Sequence, residues 1–246
     1  MKPLNRAANL NSIRLIATDM DGTLTIDQKF TPQLLQAFDR LNQAGISVLI
    51  VTGRSAGWVS GLVNYLPIVG AIAENGGLFY QGETQELLVP ISDIKLHRQR
   101  LAEMFLELRS FFPKIQESND NAFRLTDWTF DVSGLNLEDL KRLNSLCQNN
   151  DFGFTYSNVQ CHIKLANQDK AQGLLQVLEK HFPQYTLEQI ATVGDSPNDE
   201  SLFGQFPMSI GVANIQHYQT QLEHLPTYIT TQPEGLGFCE FVDAVL

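Results

Sequence analysis

Cysteine is scarce in this chain. Its 246 residues include only Cys147, Cys161 and Cys239, an odd count with no metal-ligand spacing, so neither a disulfide scaffold nor a thiolate metal centre is expected. Long apolar runs are missing as well. None reaches the roughly 18–20 residues that a bilayer crossing needs, and residues 1–14 lack the apolar stretch of a secretory signal. Basic residues are in the minority, 17 Lys and Arg against 27 Asp and Glu, for a net charge of −10. That balance argues against the clustered cationic surface on which nucleic acid binds. The expectation is a cytoplasmic protein with no membrane or nucleic-acid partner. A small phosphorylated metabolite stays open as a partner, because a bound cation inverts the local field of an acidic site.

What is present is the grammar of an α/β protein. Residues 13–17 form a short apolar run that ends at Thr18 and Asp19. A helix follows, with Thr31 as N-cap, Pro32 at its first position, an apolar stripe of Leu34, Phe38 and Leu41, and Gly45 as its stop. Residues 46–51 are almost continuously apolar, as a parallel strand covered on both faces should be. Residues 69–73 read as a third strand. The tail resumes the alternation, with a helix over 169–181, strands over 190–193 and 208–212, a short helix over 198–203, and helical stretches over 215–222 and 235–246. Between these halves the texture changes to a long amphipathic helix over 93–112, four short alternating stretches and a second helix capped by Asn136. A Rossmann-like core of residues 1–83 and 166–246, with a parallel sheet, is therefore expected to carry an inserted α+β domain of residues 84–165.

Four features sit at ends of expected core strands or at a helix start, where open α/β sheets bind ligands. They are Asp19-Met20-Asp21-Gly22, then Thr52-Gly53-Arg54, then Lys170, then Gly194-Asp195-Ser196-Pro197-Asn198-Asp199. Alone, each has an ordinary structural reading as a turn, a strand end or a solvated helix residue. A calcium loop is excluded for the first, because its twelfth position is Phe30 and not Glu. Together they supply what phosphoryl transfer needs: a carboxylate nucleophile, a second carboxylate for proton transfer, carboxylates for a hard cation, and a hydroxyl and an ammonium for the phosphoryl oxygens.

In this order the motifs resemble those of the haloacid dehalogenase superfamily, over residues 1–83 and 166–246. The insertion between Thr52 and Lys170 is similar to the C2 cap of its IIB, Cof-like subclass, which includes sucrose-phosphate and mannosylphosphoglycerate phosphatases. Glu74-Asn75-Gly76-Gly77 resembles the turn that precedes such a cap. The resemblance implies a phosphatase with Asp19 as nucleophile and magnesium ligand, and Asp21 as general acid and base with its backbone carbonyl on Mg2+. It further implies Thr52 and Lys170 on the phosphoryl group, with Gly53, Arg54 and Asn198 assisting, Asp195 on the metal and Asp199 orienting Lys170 or metal-bound water. A phosphomutase of the phosphomannomutase type and a non-catalytic sugar-phosphate sensor are the alternatives.

In the insertion, Val159 to Leu165 alternates strictly, which sets Gln160, His162 and Lys164 on the face opposite Cys161 and Ile163. That polar face, joined by Arg124, Thr129 and Asp131, is either solvated surface or a roof over the site. As a roof, Arg124, His162 and Lys164 would contact a sugar or polyol phosphate.

Overall fold

The computed structural model describes residues 1–7 and 9–246. In chain order its elements are β1 (Lys2–Pro3), β2 (Leu15–Thr18), α1 (Pro32–Gln43), β3 (Ser47–Val51), α2 (Ala56–Tyr65), β4 (Gly70–Ala73), β5 (Leu78–Gln81) and β6 (Thr84–Leu87). There follow α3 (Ile94–Phe111), β7 (Trp128–Asp131), α4 (Leu137–Gln148), β8 (Phe152–Tyr156), β9 (Gln160–Leu165) and α5 (Lys170–His181). The chain ends with β10 (Ile190–Gly194), α6 (Glu200–Gln205), β11 (Met208–Gly211), β12 (Tyr228–Ile229) and α7 (Glu234–Val245). Among the described residues no helix is long and apolar enough to cross a membrane.

One nine-stranded sheet runs β1-β12-β11-β10-β2-β3-β4-β5-β6, parallel except for β5 and β6. Its central strands bury both faces, and the alternation shows which side each residue serves. Ile16, Val48 and Ile50 pack toward α1 and α7, with Phe38, Phe238 and Phe241. Leu15, Ala17, Leu49 and Val51 pack toward α5 and α6, with Leu174 and Leu202. Registered pairing of Val193 with Thr18, and of Thr18 with Ile50, brings the carboxyl ends of β10, β2 and β3 level. The three motif-bearing loops leave the sheet together there.

The hairpin β5–β6 lies on the edge of this sheet, so the chain leaves it after Leu87. The inserted region then builds a separate antiparallel sheet, β7-β9-β8. Four alternating stretches were expected there; three form strands, with an isolated bridge from Glu117 to Phe130 at their edge. One face of the small sheet buries Phe130, Cys161 and Ile163 against Leu101, Phe105 and Leu108 of α3 and Leu143 of α4. Helix caps follow the sequence: Asp93 and Asp169 accept from the third residue onward, and Asn136 forms a capping box with Asp139. Residues 215–222 depart from expectation, forming only a 3-10 stretch over Ala213–Tyr218. Ile215 alone is buried there, so a longer helix would have had no apolar face to dock. Residues 56–65, with glycines at 57 and 61, give little helical signal, yet fold as α2.

Both chain crossings between the sheets pass against the turn that joins β4 to β5. Glu74 and Asn75 both adopt left-handed φ, near 52° and 53°, and Gly76 follows at 96°. A β-carbon on Gly76 would lie 2.1 Å from the carbonyl oxygen of Asp169, and one on Gly77 would lie 1.9 Å from the Thr126 hydroxyl. Only glycine permits these approaches.

Candidate active site

Asp19 follows β2 directly, its backbone N–H donating to the Val193 carbonyl and tying it to β10. The turn at Gly22, with φ near 80°, folds the next residues back toward Asp195, whose Oδ2 would be 2.5 Å from a β-carbon there. Lys170, in the first turn of α5, is fully buried and donates to Asp19 Oδ1 and to Asp199 Oδ1, each at 2.6 Å. Asp199 Oδ2 accepts the backbone N–H groups of Asp195 and Ser196. Asp195 takes the Thr23 hydroxyl on Oδ1 and the Asn214 amide on Oδ2. Asn198 joins Ser196 to Asn75. Thr52, fully buried at the end of β3, accepts the Arg54 N–H on its hydroxyl oxygen.

Electrostatically, three buried carboxylates share one ammonium. Burial pushes Asp19 up to about 7, against the pull of Lys170. Asp195 is raised as well, by burial and by the neighbouring Asp19 and Asp199. Burial alone would lower Lys170, but Asp19 and Asp199 outweigh it and hold the amine firmly charged. Such crowding is the signature of a cation site. Asp19, Asp195 and Asp199 bring carboxylate oxygens within 4.8 Å of one another. Asp199 and Asp195 each have both oxygens hydrogen-bonded, whereas Lys170 takes only Oδ1 of Asp19, so Asp19 Oδ2 is the freest oxygen of the three carboxylates. An all-oxygen set suits a hard divalent ion. The Asp21 side chain turns elsewhere: both its oxygens are held by Arg54, through Nε at 2.8 Å and Nη2 at 2.6 Å.

Above these groups the small sheet forms a roof. Ser157, Gln160 and His162 close the space over Asp19, Asp21 and Thr52–Arg54, leaving a chamber of about 20 Å³, room for roughly one water. His162 is buried, its Nδ1 2.8 Å from Asp127 Oδ2 and its Cε1–Nε2 edge against Gly53. Burial pushes its imidazole down, so it is neutral and donates from Nδ1. Asp127, also buried, stays ionised, since Arg124 and His162 overcome its burial. Arg124, expected to face substrate, spends its guanidinium on Asp127, Asp120, Gln160 and the Gly53 carbonyl. Lys164 donates to the Gln168 carbonyl instead of pointing into the chamber. Of the three roof residues expected to touch substrate, only His162 lines it. Asp131, opposite Gln160 in the register and so on the expected face, is exposed and accepts the Ser133 N–H.

Glu74 is the functional residue that sequence patterning left without a role. Its buried carboxylate accepts from the N–H groups of Ala56, Leu125 and Thr126 and from the Thr126 hydroxyl, at 2.6–3.1 Å. It thus joins the start of α2 to the segment entering the roof, and burial pushes it up to about 7.

The family described as haloacid dehalogenase-like hydrolase matches residues 16–99 and 97–232. The chain belongs to that family. A phosphoglycolate phosphatase of Staphylothermus marinus is 30% identical over 95% of this chain and 98% of its own length. One from Saccharolobus solfataricus is 28% identical, covering 95% and 96%. Among solved structures, Thermoplasma acidophilum 0175 superposes with a TM-score of 0.75 at 21% identity, covering 95% of this chain and 98% of that one. The sucrose-phosphatase of Synechocystis sp. PCC6803, in complex with sucrose and phosphate, gives 0.69 at 15% identity, covering 94% and 97%. These likenesses agree with the expected fold, a Rossmann-like core with a parallel sheet. The hydrolase is of the expected enzyme class, a phosphatase of this superfamily acting on phosphate esters.

Proposed function

We propose that this hydrolase cleaves a small phosphorylated acid, of the phosphoglycolate type, through an aspartyl-phosphate on Asp19 with magnesium as cofactor. The observation that carries the chemistry is the buried Asp19–Lys170–Asp199 chain beside Asp195. Asp19 attacks phosphorus while the ester P–O bond breaks, and Asp21 gives the leaving oxygen its proton. Water then attacks the acyl phosphate, returning its proton to Asp21 and releasing phosphate from Asp19. Lys170 and the Thr52 hydroxyl hold phosphoryl oxygens, with Gly53 and Asn198 shaping the loop that receives them. Asp199 keeps Lys170 aimed. Magnesium held by Asp19, Asp195 and the Asp21 carbonyl would neutralise phosphate charge against the carboxylates.

Residues 1–87 and 166–246 act as the catalytic core and 88–165 as the cap; the expected boundary at 84 moves because β6 (Thr84–Leu87) still pairs in the large sheet. The names of relatives at 28–30% identity support a phosphorylated acid over the sugar or polyol phosphate expected at first. The sucrose-phosphatase likeness, at 15% identity, supports the fold and leaves a sugar phosphate as the second reading. The names of the relatives favour a phosphatase over a mutase. A sensor has no use for an intact Asp19, Asp21, Lys170 and Asp195 set. The three unpaired cysteines accord with a cytoplasmic setting. Phosphate release from 2-phosphoglycolate, sucrose 6-phosphate and mannose 6-phosphate, with and without magnesium, tests this. Full turnover in exhaustive chelator, or preference for a sugar ester, would refute it.

A further inference from the structure

The Arg54–Asp21 pair poses a problem for the reaction just proposed, and its solution deepens that reading. Asp21 must present an oxygen to the leaving group, yet the guanidinium fork of Arg54 occupies both, at 2.6 and 2.8 Å. No other side chain among the described residues shares the Asp21 carboxylate. The clamp is also well supported: Arg54 stacks over the Trp58 ring at 5.3 Å, and its backbone carbonyl accepts the Glu74 N–H. Lys170, on Asp19, is the cation placed to answer charge on the phosphoryl group, and Arg54 is the cation beside Asp21.

A guanidinium fork matches carboxylate geometry on two points. The carboxylate of Asp21 fills that geometry in the closed chamber, and a carboxylate one carbon beyond the ester oxygen would be its chemical equivalent. We infer that Arg54 exchanges the Asp21 carboxylate for the carboxylate of a phosphorylated acid, so that the substrate's own anion both selects it and frees Asp21 to act. Trp58 gives the guanidinium a surface on which to turn without losing all its contacts. The inference rests on the acid-ester reading above. Its distinguishing consequence is that a neutral ester of the same size still seats its phosphate but leaves Asp21 clamped. The penalty therefore falls on kcat and not on KM alone.

The test compares 2-phosphoglycolate with 2-hydroxyethyl phosphate, which replaces the carboxylate with a hydroxymethyl group, in wild type, Arg54→Gln and Arg54→Lys with magnesium. Wild type should favour the acid in kcat by about ten- to a hundredfold, the range of a charged hydrogen bond. In Arg54→Gln that kcat ratio should fall below about threefold, whatever happens to the absolute rates. Arg54→Lys, which keeps the charge but loses the fork, should lie between. A wild-type preference that survives intact in both variants overturns the role of Arg54 while leaving the acid-ester reading standing. Equal wild-type kcat for the two esters overturns the exchange, and turnover of neither overturns the acid-ester reading and the inference with it. Should Arg54→Gln not fold, an unchanged ratio in Arg54→Lys is enough to reject the exchange.

Discussion

Replacing Asp19 with Asn should yield a protein that is inert and more stable than wild type. The amide cannot form the acyl phosphate, so turnover should fall by at least about four orders of magnitude, given how slow uncatalysed phosphate-ester hydrolysis is. Stability should move the other way. Burial raises Asp19 to about 7, against about 3.9 for an ordinary aspartate. A raised carboxyl contributes its full stability below the unfolded value and loses it as pH climbs through the folded one. Wild type should thus lose up to roughly 4 kcal/mol between about pH 4 and pH 7 on account of this group. Asn keeps an oxygen to accept from Lys170 and carries no charge to desolvate. In chelator at pH 8 the variant should exceed wild type by about 1–4 kcal/mol, and melt some 3–10 °C higher, while at pH 4 the two should converge. Urea unfolding at both pH values, beside a phosphate-release assay, measures all of this. Activity within tenfold of wild type would dismiss Asp19 as nucleophile. A variant less stable than wild type at pH 8 would show that the carboxylate is held comfortably and that the crowding argument fails.

Magnesium should raise the melting temperature of wild type more at pH 8 than at pH 5, because burial, which lifts Asp19 to about 7, keeps it protonated at the lower value; at a hundredfold excess over Kd the gain should be about 2.7 kcal/mol, and equal shifts at both pH values would count against this ligand. Glu74→Gln should cost about 1–3 kcal/mol in urea unfolding, since both carboxylate oxygens face only donors and the amide turns an N–H group against one set; a loss below about 0.5 kcal/mol would contradict the wiring. His162→Ala should reduce kcat/KM for the natural ester about tenfold or more, whereas Lys164→Ala, whose ammonium serves the Gln168 carbonyl, should change it by less than about threefold; equal effects would remove His162 from the chamber wall.

The sequence carries the core of this site openly because its groups sit at element boundaries that local chemistry marks. Asp19 ends an apolar run, Thr52 ends another, Lys170 follows the Asp169 cap, and Asp195 follows Gly194. The same holds for Thr31 with Pro32 and for Asn136, whose capping signals are local. What stayed hidden depends on which distant segments meet. Asp127 has no periodic or motif signal; it matters because Arg124 and His162 reach it. Asn214 lies in a stretch of weak pattern and gains its part only when it reaches Asp195. Alternation correctly placed Gln160, His162 and Lys164 on one face of β9, but period-two reasoning does not reveal which partner each finds. Lys164 found a backbone carbonyl and Arg124 a cage of acids, so neither is left for a ligand.

The stack at Gly76 and Gly77 also makes this enzyme unusually open to mechanical editing. At Gly76 the turn touches the Asp169 main chain directly, with no side chain between them to yield, whereas at Gly77 the neighbour is the Thr126 side chain. A methyl group added at 76 therefore acts as a shim driven into a joint, and main chain must move to admit it. Alanine there should displace the start of α5 and Lys170 with it, so that the loss of phosphate release measures how closely this joint sets the ammonium.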